Sequence, residues 1–188
     1  RDTDRSRGLG DVYKRQSLYN DDITYELVLL IAMLEKGEIP TSFEIAREWV
    51  SRIPFGWSAE DIALRNLRLG VKPPQSGYLN NPYREWIGAQ MRGAVCGYLS
   101  PGNPYKAAQL AWIDGEISHH NNGIIGEVFN AVLTSLAFTK TKTREVLEVA
   151  IDMLPTTSEY YHVVKTTLDQ CKKSATYEEA LILSLIHI

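Results

Sequence analysis

Residues 83–138 decide how the rest of the chain is organised, and they read YREWIGAQMRGAVCGYLSPGNPYKAAQLAWIDGEISHHNNGIIGEVFNAVLTSLAF. Small residues recur in this stretch at helical spacing, and an acidic-to-histidine run leads into a polar turn at residues 121–123. A helix that faces a core usually fills that face with apolar residues. Here three successive helical patterns instead carry polar and small residues on a shared side. The sequence therefore predicts a functional site where the three patterns meet.

The same helical period continues N-terminal to this stretch. The run NDDIT at residues 20–24 opens a helix that Gly37 ends. Its apolar stripe is predicted to face the core and consists of Ile23, Leu27, Leu30, Ile31 and Leu34. Thr41 and Glu44 have the spacing of a capping box, which begins a second helix. A third helix is predicted over residues 59–69.

Asparagine–proline pairs at Asn81 and Asn103 have the pattern of a helix cap followed by the first helical residue. The run PPQSG at residues 73–77 is predicted to be a loop. Further helices are predicted over residues 143–154, over residues 158–173 and from Thr176 onward. The sequence has neither the sustained alternation of strands nor hairpin signals, so it predicts an all-α fold in one domain with short connections.

The two ends of the chain look foreign to the protein. Residues 11–16, DVYKRQ, and residues 183–188, LSLIHI, are what the two strands of a common transposon sequencing adapter encode when translated. Such scars are excluded from reasoning about the fold. We therefore assign residues 1–16 and 183–188 to the adapter. Residues 17–182 are expected to be the native part, a metagenomic fragment cut at both ends by the read.

Charge and hydropathy argue against two classes of partner. The chain has 20 basic and 23 acidic residues, and residues 1–16 hold five and three of these, so 15 and 20 remain, a net charge of -5. That balance is not the basic footprint of a nucleic-acid-binding protein. No apolar run reaches the roughly 20 residues of a membrane helix. Cys96 and Cys171 lack the spacing of a metal site, which indicates reduced thiols, and a cytoplasmic monomer is expected.

Asp21 and Asp22 are adjacent carboxylates at a predicted helix start. In one interpretation they are a cap and a charge that the helix dipole favours. In the other they converge on a hard cation, because the backbone at a helix entry is not yet helical. Oxygen ligands with hydroxyl groups nearby suit Mg²⁺ or Mn²⁺ better than zinc.

Ala89, Gly93 and Gly97 lie four residues apart on one face of a predicted helix. Glycine inside a helix costs about 1 kcal/mol relative to alanine, so something should require it. One interpretation is close packing between helices. The alternative is a flat backbone surface for a ligand, which Gln90 and Arg92 would then reach.

Asp114, Ser118, His119 and Asn122 form the sharpest polar group. A histidine near a helix end is often a cation that meets the helix dipole. Because His119 and His120 are adjacent, they lack the spacing of a zinc pair. In the functional interpretation, the glycines at residues 123 and 126 leave backbone N–H groups free for an anion.

Three segments, taken together and in order, resemble the ADP-ribosylglycohydrolase family. They are NDDITYELVLL from residue 20, NPYREWIGAQMRG from residue 81 and GNPYKAAQLAWIDGEISHHNNGIIGEVFNA from residue 102. They are most similar to a bacterial branch with Asp-Asp-(Ile/Leu)-Thr-Tyr where other members have Thr-Asp-Asp-Thr. The resemblance covers residues 17–138 and, more loosely, those up to 182. It implies an all-α, orthogonal multi-helix domain, truncated at both ends.

The resemblance also implies a dinuclear Mg²⁺ centre and hydrolysis of the glycosidic bond between ADP-ribose and a protein side chain or a small acceptor. Asp21 and Asp22 would be metal ligands, with Asn20 in the place of a ligating threonine and Thr24 as a possible substitute. The substrate-binding residues that it implies are Gln90, Met91, Arg92, Ser118, His119, Asn122 and Gly123.

Two parts of the family pattern do not occur in residues 17–182. The Gly-rich segment with its acidic residue, where the catalytic residue is expected, would lie upstream of Ser17. The closing Asp-x-Asp-(Thr/Ser) motif would lie beyond Ile182. The fragment alone is therefore expected to be an inactive piece of a hydrolase. The alternative, which Asn20 favours, is a noncatalytic module that binds ADP-ribose or a nucleotide with an incomplete metal site.

Overall fold

The computed structural model describes residues 20–186, with side chains to residue 182, and these residues form helices and turns without any strand. The predicted all-α fold is confirmed. The helices are α1 Asp21–Lys36, α2 Ser42–Arg52, α3 Ser58–Arg68, α4 Gln75–Tyr78, α5 Gly88–Arg92, α6 Ala94–Tyr98, α7 Pro104–Gly115, α8 Asn122–Ala137, α9 Thr143–Asp152, α10 Glu159–Cys171 and α11 Tyr177–Ile186. The segment assigned to the adapter at residues 1–16, and residues 187–188 of the other, lie outside the described residues.

Local capping interactions determine where the first two helices begin and where α1 ends. The Asn20 side chain accepts a hydrogen bond from the backbone N–H of Ile23 at 3.3 Å, and Gly37 ends α1 in the left-handed region at φ 75°. Thr41 and Glu44 form the predicted capping box at the start of α2. The predicted start and end of α1 and the predicted start of α2 are therefore confirmed.

Helix α8 is the centre of the packing, since it contacts α5, α6 and α7 on one side and α9 and α10 on the other. Two hydrophobic clusters result. The first joins α1, α2, α6 and α7 around Tyr25, Leu29, Trp49 and Leu110. The second lies between α8 and the C-terminal helices, around Phe129, Val132 and Ile151.

The predicted apolar stripe of α1 is wrong for three of its five residues, whereas Leu30 packs against the first hydrophobic cluster. Ile23, Leu27 and Leu34 are 53%, 51% and 80% exposed, whereas the buried face of α1 consists of Tyr25, Val28, Leu29 and Ala32. The face that packs is set by the Tyr25 ring, which lies 4.6 Å from that of Trp49 and so turns the helix away from the more regular leucine stripe.

The helix predicted to begin at Pro82 is also wrong. Residues 81–87 form turns, and α5 begins only at Gly88. The physical reason is Asn81, which is 1% exposed and whose Nδ2 donates to the carbonyl oxygens of Ala59, Gly77 and Ser118 at 3.1, 2.9 and 3.1 Å. This side chain joins three segments instead of capping a helix.

Of the other two turn predictions, one is confirmed and one is wrong. Asn103 caps α7 through a hydrogen bond from the Lys106 N–H at 3.1 Å, with Pro104 as the first helical residue, as predicted. The predicted loop at residues 73–77 instead includes the one-turn helix α4. Among residues 20–186, no helix combines the length and the apolar character needed to cross a membrane.

Candidate functional site

Arg92, the last residue of α5, lies at the junction of the helices and is 1% exposed. Its Nε donates to Asp114 Oδ2 at 2.5 Å, and its Nη1 donates to Glu60 Oε1 at 3.2 Å. The guanidinium group also lies over the rings of Tyr25 and Trp49, at 5.3 and 5.0 Å from the ring centres. A planar group with five donors suits this position, because it meets several acceptors at once.

Three carboxyl groups surround this guanidinium group: Glu60 from α3, Asp114 from α7 and Glu127 from α8. Glu127 is fully buried, with Oε2 4.0 Å from Arg92 Nη2. Burial is the main reason why the pKa of Glu127 lies well above its usual value, and Asp114 adds to the effect. Burial raises the pKa of Glu60 as well, against the opposing effect of Arg92. Three carboxyl groups thus share one guanidinium charge. This arrangement favours the protonated form of Glu127 and Glu60, whose pKa values are raised.

Glu127 and Asp114 have oxygens that no donor among residues 20–182 reaches: both carboxyl oxygens of Glu127 and Oδ1 of Asp114. A proton on Glu127 supplies the donor that is needed, since the two side chains are close enough to share a hydrogen bond. The raised pKa of Glu127 thus favours its neutral form, which can donate a hydrogen bond to Asp114. The pair resembles other buried carboxyl dyads in physical principle.

The glycines of this region make room for the network and for α8. A Cβ on Gly88 would overlap the Glu60 carboxyl group, and one on Gly115 would lie 2.7 Å from Glu127 Oε2. A Cβ on Gly93 would lie 2.7 Å from the backbone oxygen of Glu127, and one on Gly97 2.4 Å from Thr134 Cβ. Of the two interpretations of the small-residue row, close helix packing accounts for both Gly93 and Gly97.

Ser118 and His119 extend the network beyond α7. Arg92 Nη2 donates to Ser118 Oγ at 3.0 Å, and that oxygen lies 2.7 Å from His119 Nδ1. His119 is fully buried, and burial followed by the positive charge of Arg92 lowers its pKa well below the usual value. Its Nε2 has no hydrogen-bond partner among the described residues. A buried donor or acceptor of this kind costs about 1–3 kcal/mol when it stays unsatisfied.

Asn122 lies on the outer side of the same turn and joins three segments. Its Nδ2 donates to Glu85 Oε2 at 2.8 Å, and its Oδ1 accepts from the backbone N–H of Tyr160 at 3.2 Å. The prediction that the backbone N–H of Gly123 is free for an anion is wrong, because this group donates to the His120 carbonyl oxygen at 3.1 Å. A glycine is needed there since a Cβ would lie 2.5 Å from the Arg84 carbonyl oxygen.

Gln90 and Met91 are half-buried neighbours of Arg92 with different surroundings. The Gln90 carbonyl accepts from Asn130 Nδ2 at 2.8 Å, and its side chain hydrogen bonds to Tyr160, whose pKa burial raises to about 12. Met91 packs against the first hydrophobic cluster. Direct contact of these two residues with a ligand stays a prediction.

The predicted metal ligands lie at the start of α1. Asp21 is half-buried and Asp22 is exposed. Asp21 adds to the effect of burial in raising the pKa of Glu60, so it lies on the side of the α1 terminus that faces the network. Thr24 Oγ1 donates to the Asn20 carbonyl at 2.6 Å. In the part of the chain that the structure describes, no group of three or more His, Cys, Asp or Glu side chains is placed to hold a metal ion.

The structure thus brings together Arg92, Asp114, Ser118 and His119, all of which the sequence singled out. It adds Glu60 and Glu127, which the sequence analysis missed. A signal for Glu127 existed, because it is the only charged residue in the apolar helix NGIIGEVFNAVLTSLA. Glu60 gave no such signal, since it stands in the first turn of α3, where an acidic residue is ordinary.

The sequence profile of the family described as ADP-ribosylglycohydrolase matches residues 3–184. The chain belongs to the ADP-ribosylglycohydrolase family. No curated protein and no solved structure matches it. Family membership implies a hydrolase that acts on ADP-ribosylated substrates and, in general for this family, depends on a divalent metal. In this member of the ADP-ribosylglycohydrolase family, Arg92 forms a buried network with Glu60, and Asp21 at the start of α1 helps to raise the pKa of Glu60.

Proposed function

We propose that this domain is part of a Mg²⁺-dependent hydrolase that cleaves the glycosidic bond of ADP-ribosylated proteins or small molecules. The observation that carries the proposal is the pair Asp21 and Asp22 at the start of α1, where Asp22 is exposed and Asp21 is close enough to the buried network to help raise the pKa of Glu60. Family membership gives the substrate class.

The chemistry of the donor set fits magnesium, although it is not a full set. Asp21 and Asp22 make no ion pair with a cation among residues 20–182, so both carboxylates are available to a metal ion. Mg²⁺ prefers oxygen ligands and keeps several waters. Asn20 and Thr24 are the weaker candidates, because each already makes a capping hydrogen bond.

When bound, Mg²⁺ would orient the ribose hydroxyl groups and lower the pKa of a bound water. The protein residues have a different task. Asp21 and Asp22 hold negative charge at the rim of the site. Arg92 and its carboxyl partners fix α3, α5, α7 and α8 relative to one another beneath that rim. A rigid base of this kind keeps reacting groups in position, which is a large part of catalysis.

The test is metal binding by the whole chain and by the variant Asp22→Asn. We expect the substitution to weaken binding of Mn²⁺, followed by electron paramagnetic resonance, about tenfold or more, since one of two anionic ligands is lost. Asp61→Asn is the matched control, because Asp61 is also in the first turn of a helix and pairs with Arg65 at 2.5 Å. If both variants bind Mn²⁺ as the unsubstituted chain does, Asp22 is a helix-terminal charge and the metal assignment fails.

A second candidate is a noncatalytic binder of ADP-ribose. It is favoured by Asn20, whose side chain caps α1, and by the small number of metal-ligating groups near Asp21 and Asp22. Calorimetric titration with ADP-ribose, with and without Mg²⁺, separates the two. The noncatalytic binder takes ADP-ribose equally well with and without Mg²⁺.

A further inference from the structure

We propose a second binding site, for a small organic anion with an apolar ring, in a cavity between α2 and the segment that follows α3. The cavity has a volume of about 420 Å³. Small-molecule pockets span roughly 300–1,000 Å³, so it can hold a ring system with one charged group. The carboxylates at the start of α1 and the network around Arg92 do not line it, and its test is therefore independent of the proposed function.

Much of the lining of this cavity is apolar. Phe43 and Val50 lie two turns apart on the outer face of α2, and they are 47% and 40% exposed. Ala46 and Leu67, which also line the cavity, belong to the first hydrophobic cluster or pack against it. A ring that enters the cavity removes this apolar surface from water, which favours binding.

The turn after α3 keeps the cavity open. The N–H groups of Gly70 and Val71 donate to the carbonyl oxygens of Leu67 and Asn66 at 2.9 and 3.0 Å, so the backbone of the turn is held in place. Gly70 has a φ of 87°, and no atom lies within 4 Å of a Cβ added there. The cavity is therefore formed before any ligand arrives, as small-molecule sites usually are.

Two basic side chains that line the cavity have no carboxylate partner. Within residues 20–182, neither Arg47 nor Lys72 forms an ion pair. Lys72 Nζ lies instead 5.4 Å from the centre of the Phe43 ring, in a cation–π contact. Both cationic groups are thus available to the carboxylate, sulfonate or phosphate group of a ligand.

The acidic residues near these bases are already paired with other cations. Glu48 is the one acidic residue that lines the cavity, and its Oε2 accepts a hydrogen bond from Arg52 Nε at 2.7 Å. Glu44, one turn earlier, accepts from Lys36 Nζ at 2.5 Å, and this bond is the main reason why its pKa is lowered to about 2. The two unpaired bases therefore set the sign of the charge that a ligand meets.

The test is a titration of the whole chain with 2-naphthoate, followed by two-dimensional NMR spectra of its amide and methyl groups. We expect saturable shifts at Val50 and Val71. The affinity should exceed that for 2-naphthalenemethanol, which has the same ring without the charge, about fivefold or more. Equal affinities for the two compounds, or shifts that leave Val50 and Val71 unchanged, would overturn the proposal.

Substitutions of exposed residues separate the charge from the shape of the site. Arg47→Gln and Lys72→Gln should each weaken binding of 2-naphthoate about threefold, the effect of one exposed ion pair. Lys72→Arg keeps both the charge and the contact with Phe43, so it should bind as the unsubstituted chain does. Val50→Glu keeps both bases but adds a negative charge to the lining, and it should abolish detectable binding.

Lys106→Gln is the matched control for the two glutamine variants. Lys106 also lacks an ion pair among residues 20–182, and it lies beside a different apolar groove, lined by Leu30 and Leu34. This variant should bind 2-naphthoate with unchanged affinity. If it loses as much affinity as Arg47→Gln and Lys72→Gln, or if Val50→Glu still binds, the anion does not occupy the cavity between α2 and the end of α3.

Discussion

The carboxyl group of Glu127 lies against that of Asp114, and one guanidinium group, that of Arg92, serves both. Two neighbouring carboxyl groups out of contact with solvent do not both ionise, because their charges repel and neither is hydrated. No donor among residues 20–182 reaches either oxygen of Glu127, whereas Asp114 Oδ2 accepts a hydrogen bond from Arg92. The raised pKa of Glu127 therefore favours the proton on this residue.

Glu127→Gln should flatten the dependence of stability on pH. The pKa of Glu127 is raised in the folded chain above its usual 4.5. As pH rises above 4.5, the unfolded chain releases a proton that the folded chain keeps, so the free energy of unfolding of the unsubstituted chain falls. A glutamine has no proton to release but keeps an N–H donor for Asp114.

Urea denaturation at about pH 5 and about pH 7.5 measures this difference. Part of the slope should remain in Glu127→Gln, because the raised pKa of Glu60 acts in the same direction. A variant that is less stable than the unsubstituted chain at about pH 7.5, and equally pH-dependent, would mean that Glu127 is ionised in the fold.

Arg92→Lys should destabilise the chain by about 3–5 kcal/mol, as expected when a buried ion pair loses its geometry. An ammonium group has three donors at one point, so it cannot reach Asp114, Glu60 and Ser118 together. Arg65→Lys is the control, because the Arg65 side chain is 67% exposed and, among residues 20–182, forms an ion pair only with Asp61, four residues earlier. Thermal unfolding followed by circular dichroism should separate the two variants clearly. Similar melting temperatures would contradict the central role of Arg92.

Gly93→Ala should cost about 1–3 kcal/mol through overpacking. The backbone at Gly93 is helical, with φ −64°, so alanine suits its conformation and the whole loss is steric. The added Cβ would meet the Glu127 backbone, which cannot move without moving α8. Gly70→Ala provides the comparison, because it adds backbone strain at a φ of 87° but no steric overlap. No atom lies within 4 Å of a Cβ added at Gly70. Denaturation by urea should show the larger loss at Gly93, and the reverse order would contradict the packing argument.

Asn122→Ala should release the start of α10 from the turn before α8. The Tyr160 N–H loses its acceptor, and Glu85 loses its donor, at an expected cost of about 1 kcal/mol. Hydrogen exchange at the Tyr160 amide should become faster. Asn103→Ala removes a comparable side-chain cap at α7 and should leave that exchange rate unchanged. Equal exchange at Tyr160 in all three proteins would show that Asn122 does not hold α10.

Features decided within one helical turn could be predicted from the sequence. The capping box of Thr41 and Glu44 and the stop at Gly37 depend on atoms three or four residues apart. The start at Asn81 failed for the opposite reason. Its side chain bonds to carbonyl groups up to 37 residues away, and no local pattern contains that information.

The candidate site was likewise predictable only in part. The junction itself was predictable, because polar and small residues stood where a core was expected, at Arg92, Asp114 and Ser118. Their roles were not predictable, since Arg92 and His119 are enclosed in the fold and the three carboxyl partners of Arg92 come from three different helices. The metal and substrate roles of the residues that the resemblance implied stay predictions.

One arginine with three acidic partners also constrains how this sequence can change over time. Loss of Arg92 strands Glu60, Asp114 and Glu127, and loss of any one acid alters the protonation of the other two. We therefore expect the four positions to change together. Among relatives, we expect a substitution at one of them to appear together with a compensating substitution at another, whereas the exposed pair of Asp61 and Arg65 should drift independently.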